Sequence, residues 1–200
     1  YFEKEDVRNI SIPDTPSMSE KETDLFESYL IKAERYFEFG SGGSSKLAAS
    51  LGLTVNGVES DKKWLTRLKM DLGAKSNIEY IDIGPTGEWG YPTDLSAEDR
   101  FPRYSESINS TDKWFDFILI DGRFRVACTL ETVKNILINK KEDRAVIFIH
   151  DFRGRDYYNP VLEYLDEIDS VESAVVFKVK NNIDREKLEE TITFFNKDYR

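Results

Sequence analysis

The sequence contains a single cysteine, Cys128, and a single histidine, His150, among 200 residues. One cysteine cannot form an internal disulfide or a cysteine-based metal site. Positive charge is also scarce, because 28 Lys and Arg residues face 38 Asp and Glu residues and the net charge is −10. An acidic chain gains nothing from the release of a polyanion's counterions, so general nucleic-acid binding is not expected.

Long apolar runs are missing as well. None approaches the roughly 18 residues that are needed to span a bilayer, and no signal peptide is visible. We therefore expect a soluble protein of a reducing compartment, namely the cytoplasm. The chain begins at Tyr1 rather than at Met, which leads us to expect a piece of a longer protein.

What the sequence does contain is an alternation of strand-like and helix-like segments. Residues 1–18 are polar and are predicted to form an N-terminal arm, and Ser19 with Glu22 gives a capping-box pattern at the start of the first helix. Amphipathic helices are predicted between short apolar strands at 36–39, 54–59, 77–83, 115–121, 145–149 and 174–179. This alternation predicts one α/β domain over 19–200, with a mainly parallel sheet of six or seven strands flanked by helices.

Two later segments carry further predictions. Leu165 and Ile168, with the apolar residues before them, predict a helix ahead of the last apolar strand. A terminal helix is predicted around Ile192, with a strand over Thr191–Phe195 as the alternative. The stretch 84–113 has no periodicity, and because loops longer than about 15 residues are uncommon without a function, we expect it to be a substrate loop.

The stretch 36–45 reads as a buried strand, a glycine-rich turn and the start of a helix near Ser44. Gly40 and Gly42 permit backbone angles and close approaches that a Cβ would forbid, and a helix start offers free N–H groups. At the carboxyl end of the first strand of an α/β sheet, such a turn is where nucleotide-like ligands bind. A tight turn without a ligand is the alternative.

Acidic residues follow the same edge of the predicted sheet. Glu38, Glu59 and Asp121 lie at the carboxyl ends of successive strands, and Asp82 adds a fourth acid on the third strand. Glu59 comes 19 positions after Gly40, close to the spacing at which an acid holds a ribose diol in dinucleotide-binding folds. Capping of the next helix is the alternative role for Glu59.

These residues resemble the motifs of class I S-adenosylmethionine (SAM) methyltransferases. The segment Glu38-Phe39-Gly40-Ser41-Gly42 is similar to their first motif, in which an acid precedes two spaced glycines. Glu59 matches their ribose-binding acid, and Asp121 matches the residue that closes their fourth strand. Ser45 stands where the dinucleotide fingerprint has a third glycine, which favours SAM over NAD. The resemblance covers residues 36–180 and implies a Rossmann-like class I methyltransferase fold.

The same resemblance implies SAM as the cofactor and S-adenosylhomocysteine as the product. It places Asp82 and Ile83 beside the adenine and the glycine turn against the methionine part of the cofactor. The cofactor site that it implies consists of Glu38, Gly40, Ser41, Gly42, Ser44, Ser45, Glu59, Ser60, Asp82, Ile83 and Asp121.

A narrower resemblance concerns Ile-Asp-Gly-Arg-Phe-Arg after the fourth strand, Trp-Gly-Tyr-Pro in the long loop and Ile-His-Asp after the fifth strand. The chain is similar to the methyltransferase domain at the carboxyl end of multidomain glycan-building proteins of large DNA viruses. This resemblance implies a sugar hydroxyl of an oligosaccharide as the methyl acceptor, for example on a terminal rhamnose. It also implies fusion to glycosyltransferase domains and a location in the host cytoplasm.

The chemistry of such a transfer points to the ends of the fourth and fifth strands, which flank the methyl site in this architecture. A sugar hydroxyl has a pKa far above 7 and needs a base as it attacks. The catalytic candidates are Asp121, His150 and Asp151; we expect His150 or Asp151 to be the base and Asp121 to orient the acceptor or the sulfonium. A neutral His150 bonded to neighbouring backbone is the alternative. The three can also hold a divalent ion, but Arg123 and Arg125 would repel it, so no metal is favoured.

Aromatic and basic residues suit a carbohydrate, because aromatic rings offer flat faces for C–H surfaces and polar tips for hydroxyl groups. Ordinary packing is the alternative for each of them. The function alternatives are methyl transfer to another small hydroxylated molecule, an NAD-linked oxidoreductase on the same fold, and a degenerate fold kept for interactions. The predicted substrate-binding residues are Trp89, Tyr91, Arg123, Arg153 and Tyr157.

Overall fold

The computed structural model describes residues 7–110 and 113–200. Seven strands form one sheet in the order β3-β2-β1-β4-β5-β7-β6. β1 to β5 are parallel to their neighbours, whereas β7 runs antiparallel to both β5 and β6. The strands are β1 (Tyr36–Phe39), β2 (Val55–Glu59), β3 (Ser76–Tyr80), β4 (Phe117–Ile120), β5 (Val146–Ile149), β6 (Leu165–Val171) and β7 (Ala174–Val179).

Helices cover both faces of this sheet, as expected when parallel strands are joined by crossover connections. Short 3₁₀ turns lie at Gly73–Lys75, Glu88–Gly90, Glu98–Arg100, Ser107–Asn109 and Asp156–Glu163. The α-helices are α1 (Glu20–Leu30), α2 (Gly43–Ser50), α3 (Lys62–Leu72), α4 (Pro102–Glu106), α5 (Arg125–Asn139) and α6 (Arg185–Phe195). The predicted α/β sheet with flanking helices is confirmed, and it has seven strands.

The central strands are buried along their whole length. Every residue of β1 and β4 is buried, because each strand has hydrophobic clusters on both faces. Burial of nearly continuous apolar strands is what a two-sided parallel sheet requires. The carboxyl ends of β1, β2, β4 and β5 therefore meet at one edge, where the polar residues after them come together.

Helix starts follow the sequence closely. Ser19 accepts a hydrogen bond from the Glu22 N–H, and the Glu22 carboxylate accepts one from the Ser19 N–H, so the predicted capping box is present. Asp61 caps α3 through the N–H groups of Lys63 and Trp64. Both caps satisfy donors that the first helical turn leaves free.

Three sequence predictions were wrong in position or type. The predicted helix around Leu165 and Ile168 is instead strand β6, which forms an antiparallel hairpin with β7. Pairing with β7 at the edge of the sheet decides this segment, although its apolar spacing also fits a helix. β3 ends at Tyr80 rather than at residue 83, and the strand alternative over Thr191–Phe195 is wrong because α6 covers that segment.

The predicted substrate loop contains short helical elements, and part of it is core. Phe101, Tyr104 and Ile108 are buried in the main hydrophobic cluster, while Trp89 at its other end is 77% exposed. Positions 111 and 112 of this prediction lie outside the described residues. No helix within 7–110 or 113–200 is long and apolar enough to cross a membrane.

Candidate active site

A cavity of about 530 Å³ opens at the carboxyl edge of the sheet. Its size falls within the range of small-molecule and cofactor sites. The glycine turn after β1, the end of β2, the loop after β4 and the N-terminal arm all contribute to its wall. The predicted site residues that line it are Gly40, Ser41, Gly42, Ser44, Glu59, Ser60, Trp89, Asp121 and Arg123.

The floor of this cavity is a contact between two glycines. Gly40 has a left-handed backbone conformation with φ of 81°, and a Cβ there would lie 2.7 Å from the Cα of Gly122. The turns after β1 and β4 approach this closely because neither of the two glycines has a side chain. On the other side of the turn, a Cβ on Gly43 would overlap the carbonyl of Thr15, so the N-terminal arm lies directly against the helix start.

The acid of the first motif supports this turn from below. Glu38 is fully buried, and its carboxylate accepts hydrogen bonds from the hydroxyl groups of Tyr36, Ser44 and Ser45. The Ser45 Oγ in turn accepts from the Gly42 N–H at 2.9 Å. Burial raises the pKa of Glu38 to about 7, against the opposing effect of the three hydroxyl donors. Glu38 and Ser45 therefore shape the turn from the interior rather than line the cavity.

Glu59 lies at the cavity wall with both carboxylate oxygens engaged. Oε1 accepts from the N–H groups of Ser60 and Asp61 at 2.8 and 3.0 Å. Oε2 accepts from the N–H and the Oγ of Ser41, both at 3.0 Å. Burial raises the pKa of Glu59, although these hydrogen bonds oppose that shift. The carboxylate thus ties the end of β2 to the glycine turn after β1.

Trp64 is a member of the site that sequence analysis missed. It lines the cavity from α3, and its Nε1–H donates to the Ser41 carbonyl at 2.7 Å. A Cβ on Gly42 would touch its ring at 3.4 Å. The apolar spacing of α3 indicates only a packing role for this ring, so the sequence contains no signal that separates Trp64 from the core residues beside it.

Asp121 borders the cavity and belongs to a chain of charged groups. Its Oδ1 lies 3.1 Å from the His150 Nδ1 and accepts from the Arg125 Nη2 at 3.0 Å. The His150 Nε2 lies 3.3 Å from the Glu22 Oε2. His150 itself is buried, and behind it Asp151 accepts from the Arg155 Nη2 at 2.7 Å. The fold therefore brings the three predicted catalytic residues together, with Asp121 the one that borders the cavity.

Arg123 contributes a cation to the cavity wall. It is 6% exposed, its guanidinium lies 4.0 Å from the ring centre of Tyr91, and its Nε and Nη1 have no hydrogen-bond partner within the described residues. Buried guanidinium donors without partners are costly. Gly90 lies close by, because a Cβ there would come within 3.8 Å of the Arg123 Cγ.

Several predicted site residues lie away from the cavity. Ile83 is buried in the core, and Asp82 accepts from the Gly84 N–H and pairs with Arg100. Arg153 pairs with Glu167 of β6 at 2.5 Å, and Tyr157 packs against the ring of Tyr158. The sequence placed these residues near strand ends, but each is held by its own local partners.

The donor set for a divalent ion is not open. The His150 ring nitrogens face carboxylates directly, and the Asp151 carboxylate is paired with Arg155. Within 7–110 and 113–200, no group of three His, Cys, Asp or Glu side chains is arranged to hold a metal ion. The residues at this edge are therefore arranged as ion pairs.

Comparison with known proteins gives matches among solved structures. A methyltransferase-like protein from Silicibacter pomeroyi is 30% identical, with a TM-score of 0.81, and the match covers 93% of this chain and 99% of that chain. The N-methyltransferase NodS from Bradyrhizobium japonicum, solved with S-adenosylhomocysteine, is 13% identical with a TM-score of 0.45, covering 84% and 90%. No family model and no curated protein matches the sequence.

The first of these matches extends over essentially both chains, so it compares the whole fold rather than one motif. At 30% identity and a TM-score of 0.81, the two chains share one overall fold. The chain therefore belongs to the family of this methyltransferase-like protein, and its sheet has the Rossmann-like fold of class I methyltransferases.

Proposed function

We propose that the protein transfers the methyl group of SAM to a hydroxyl oxygen of a sugar within a glycan. The observation that carries this proposal is the open cavity between the glycine turn at Gly40 and the carboxylate of Glu59. A nucleoside with an amino-acid tail suits that shape, because the turn leaves room for the tail and the carboxylate can accept from a ribose hydroxyl. Bound SAM supplies a methyl group that its sulfonium already activates.

Glu59 is the proposed ribose ligand. Its four hydrogen bonds fill the four acceptor positions of a carboxylate, and three of the donors are backbone N–H groups held by the fold. The fourth is the Ser41 Oγ, a hydroxyl that can rotate away. We propose that a ribose hydroxyl takes the place of the Ser41 hydroxyl on Glu59, while Trp64 covers the turn from α3.

Asp121 is the proposed base for the acceptor hydroxyl. Among the three catalytic candidates it is the one that lines the cavity, whereas both ring nitrogens of His150 face other carboxylates. A base positioned within hydrogen-bond reach contributes roughly 10²–10⁴-fold to such a transfer. Alignment of the acceptor oxygen behind the methyl carbon can supply several kcal/mol more.

The acceptor is proposed to meet the loop side of the cavity. Trp89 presents an exposed ring there, and Arg123 has buried donors that find no partner among residues 7–110 and 113–200. An aromatic face suits the C–H surface of a sugar, and a guanidinium suits its oxygens. Tyr91, Arg153 and Tyr157 remain candidates for more distant sugar units, and a terminal rhamnose is the specific acceptor proposed.

The first test measures cofactor binding. S-adenosylhomocysteine should raise the melting temperature, whereas NAD should not. Glu59→Gln should weaken S-adenosylhomocysteine binding at least about tenfold in calorimetry, since about 1.4 kcal/mol corresponds to that factor. Glu88→Gln, an acid on the same cavity wall, is the matched control and should bind normally. Stabilisation by NAD alone would favour the oxidoreductase.

The second test measures the reaction. Oligosaccharide acceptors with and without terminal rhamnose are incubated with SAM, and mass spectrometry follows the gain of one CH₂ group. Turnover of non-sugar hydroxyl compounds alone would support methyl transfer but remove the glycan as substrate. Turnover that a chelator abolishes would contradict the ion-pair arrangement described for Asp121, His150 and Asp151.

A further inference from the structure

Glu22 makes contacts that helix capping does not explain. It is 5% exposed and reaches from α1 to the loop between β6 and β7, where its Oε1 accepts from the N–H and the Oγ of Ser173 at 3.0 and 2.6 Å. Its Oε2 accepts from the Ser19 N–H at 3.0 Å and lies 3.3 Å from the His150 Nε2. Its second oxygen therefore serves both the helix cap and the buried histidine.

His150 is held between two acids. Its Nδ1 faces the Asp121 Oδ1 at 3.1 Å and its Nε2 faces Glu22, while the Asp151 Oδ1 lies 3.9 Å from Nε2. An imidazole donates from both nitrogens only when it is protonated. The Arg125 guanidinium donates to the backbone carbonyl of His150. The acids on α1, after β4 and after β5 thus surround the ring.

We propose that Glu22 is a positioning residue for the methyl transfer, acting through His150 to hold Asp121 at the cavity wall. This inference rests on the proposed function, in which Asp121 serves the acceptor hydroxyl. Glu22 does not touch the cavity itself, so its effect passes along the contacts from α1 to β5 and from β5 to the end of β4.

The protonation states of Glu22 and His150 are consistent with this geometry. Burial lowers the pKa of His150, but the hydrogen bond to Asp121 and the charges of Asp121, Asp151 and Glu22 outweigh burial and raise it. Burial raises the pKa of Glu22, but hydrogen bonds from Ser173 and Ser19 lower it to about 2. Glu22 is therefore anionic at neutral pH, and the raised His150 pKa favours the imidazolium that its two partners need.

The consequence for Asp121 is orientation. Within the part of the chain that the structure describes, its side-chain hydrogen bonds, from His150 and Arg125, both use Oδ1. Oδ2 is left for the acceptor. Without the charge of Glu22, one of the charges that raise the His150 pKa is lost, so the neutral ring becomes more populated. A neutral ring donates from one nitrogen only.

The decisive measurement is the titration of His150 by NMR, because the chain has a single histidine. Glu22→Gln keeps the size of the side chain and removes its charge. The His150 pKa should fall by about one unit or more, the effect expected on loss of an adjacent opposite charge. Glu20→Gln, an exposed acid in the same first turn, is the matched control and should leave the titration unchanged.

The kinetic measurement separates positioning from stability. Glu22→Gln should lower kcat about fivefold or more at neutral pH, with the KM for SAM within twofold. As the pH is raised, the activity of the variant should begin to decline at a lower pH than that of the wild type. Glu22→Asp should restore part of the loss. An unchanged His150 titration, or a shifted titration with unchanged kcat and pH profile, would overturn the proposal.

Failure of the proposed function is a separate result. If the wild type binds no SAM and methylates no acceptor, the methyl-transfer proposal falls, and the positioning role of Glu22 falls with it. The NMR titration would still report whether Glu22 holds the His150 proton, since it needs no substrate.

Discussion

Glu38 supports the glycine turn through hydrogen bonds, but burial of its carboxylate opposes ionisation. Its carboxylate has no solvent contact and satisfies three hydroxyl groups beneath the glycine turn. Because burial raises its pKa to about 7 from the ordinary 4.5, the folded chain keeps this proton at pH values where the unfolded chain has lost it. The contribution of Glu38 to stability is therefore complete below pH 4.5 and declines as pH rises toward 7.

Glu38→Gln should remove that decline. Between pH 4.5 and 7, the wild type should lose up to about 3 kcal/mol of unfolding free energy that the variant retains, because one pKa unit corresponds to about 1.36 kcal/mol. Urea denaturation at a series of pH values measures both slopes. Glu79→Gln, an exposed acid on β3, is the control, and parallel curves for wild type and Glu38→Gln would contradict the assignment.

At the scale of elements, the site depends on how closely two turns approach. β1 and β4 are neighbours in the sheet, and the turns after them touch at Gly40 and Gly122. Helix α1 also contributes to the site, because Glu22 and Phe26 lie four residues apart on one face of this helix. Phe26 packs on Phe148 with ring centroids 5.4 Å apart, and this packing brings Glu22 to the end of β5.

Gly40→Ala should lower the free energy of unfolding by more than the backbone strain of a left-handed residue alone. Gly154 has nearly the same φ, 79° against 81°, but no described residue other than its chain neighbours comes within 4 Å of a Cβ there, whereas at Gly40 the Cβ would meet backbone at 2.7 Å. Gly154→Ala should therefore cost only the left-handed strain, about 1–2 kcal/mol. Urea denaturation should show at least about 2 kcal/mol more for Gly40→Ala, since backbone cannot move aside as a side chain does. Equal losses would show that the turn can relax.

At the scale of the whole molecule, negative charges outnumber positive charges. The net charge is −10, and many of the ion pairs lie at the surface, as between Lys21 and Glu172 or between Lys134 and Glu189. Exposed pairs of this kind contribute little, with a median of about 0–1 kcal/mol. Repulsion among the excess acids is therefore expected to outweigh them.

Salt should consequently stabilise the protein. Raising NaCl from about 0.01 M to about 0.15 M shortens the screening length from roughly 30 to 8 Å, which weakens long-range repulsion more than contact pairs. The melting temperature should rise by a few degrees at pH 7, and the rise should vanish near pH 4.8, the isoelectric point. A fall in melting temperature with salt would mean that surface pairs dominate.

Local patterns in the sequence were sufficient for the parts that neighbouring residues decide. The capping box at Ser19 and Glu22 and the glycine turn after the first strand each involve residues within a few positions of one another. The apolar runs of β1 and β4 predicted the buried centre of the sheet. The helices between consecutive strands predicted that these strands run parallel. The family resemblance rested on these same local features.

Only the tertiary structure decided the contacts between distant segments. Strand β6 depends on pairing with β7 at the sheet edge, which its helix-like apolar spacing does not reveal. The two sides of the His150 ring are filled by Asp121 and by Glu22, which is 128 positions away in the chain. A hydrogen bond of this kind has no signature in either local segment, because it arises from the packing of α1 across the sheet rather than from the residues beside it.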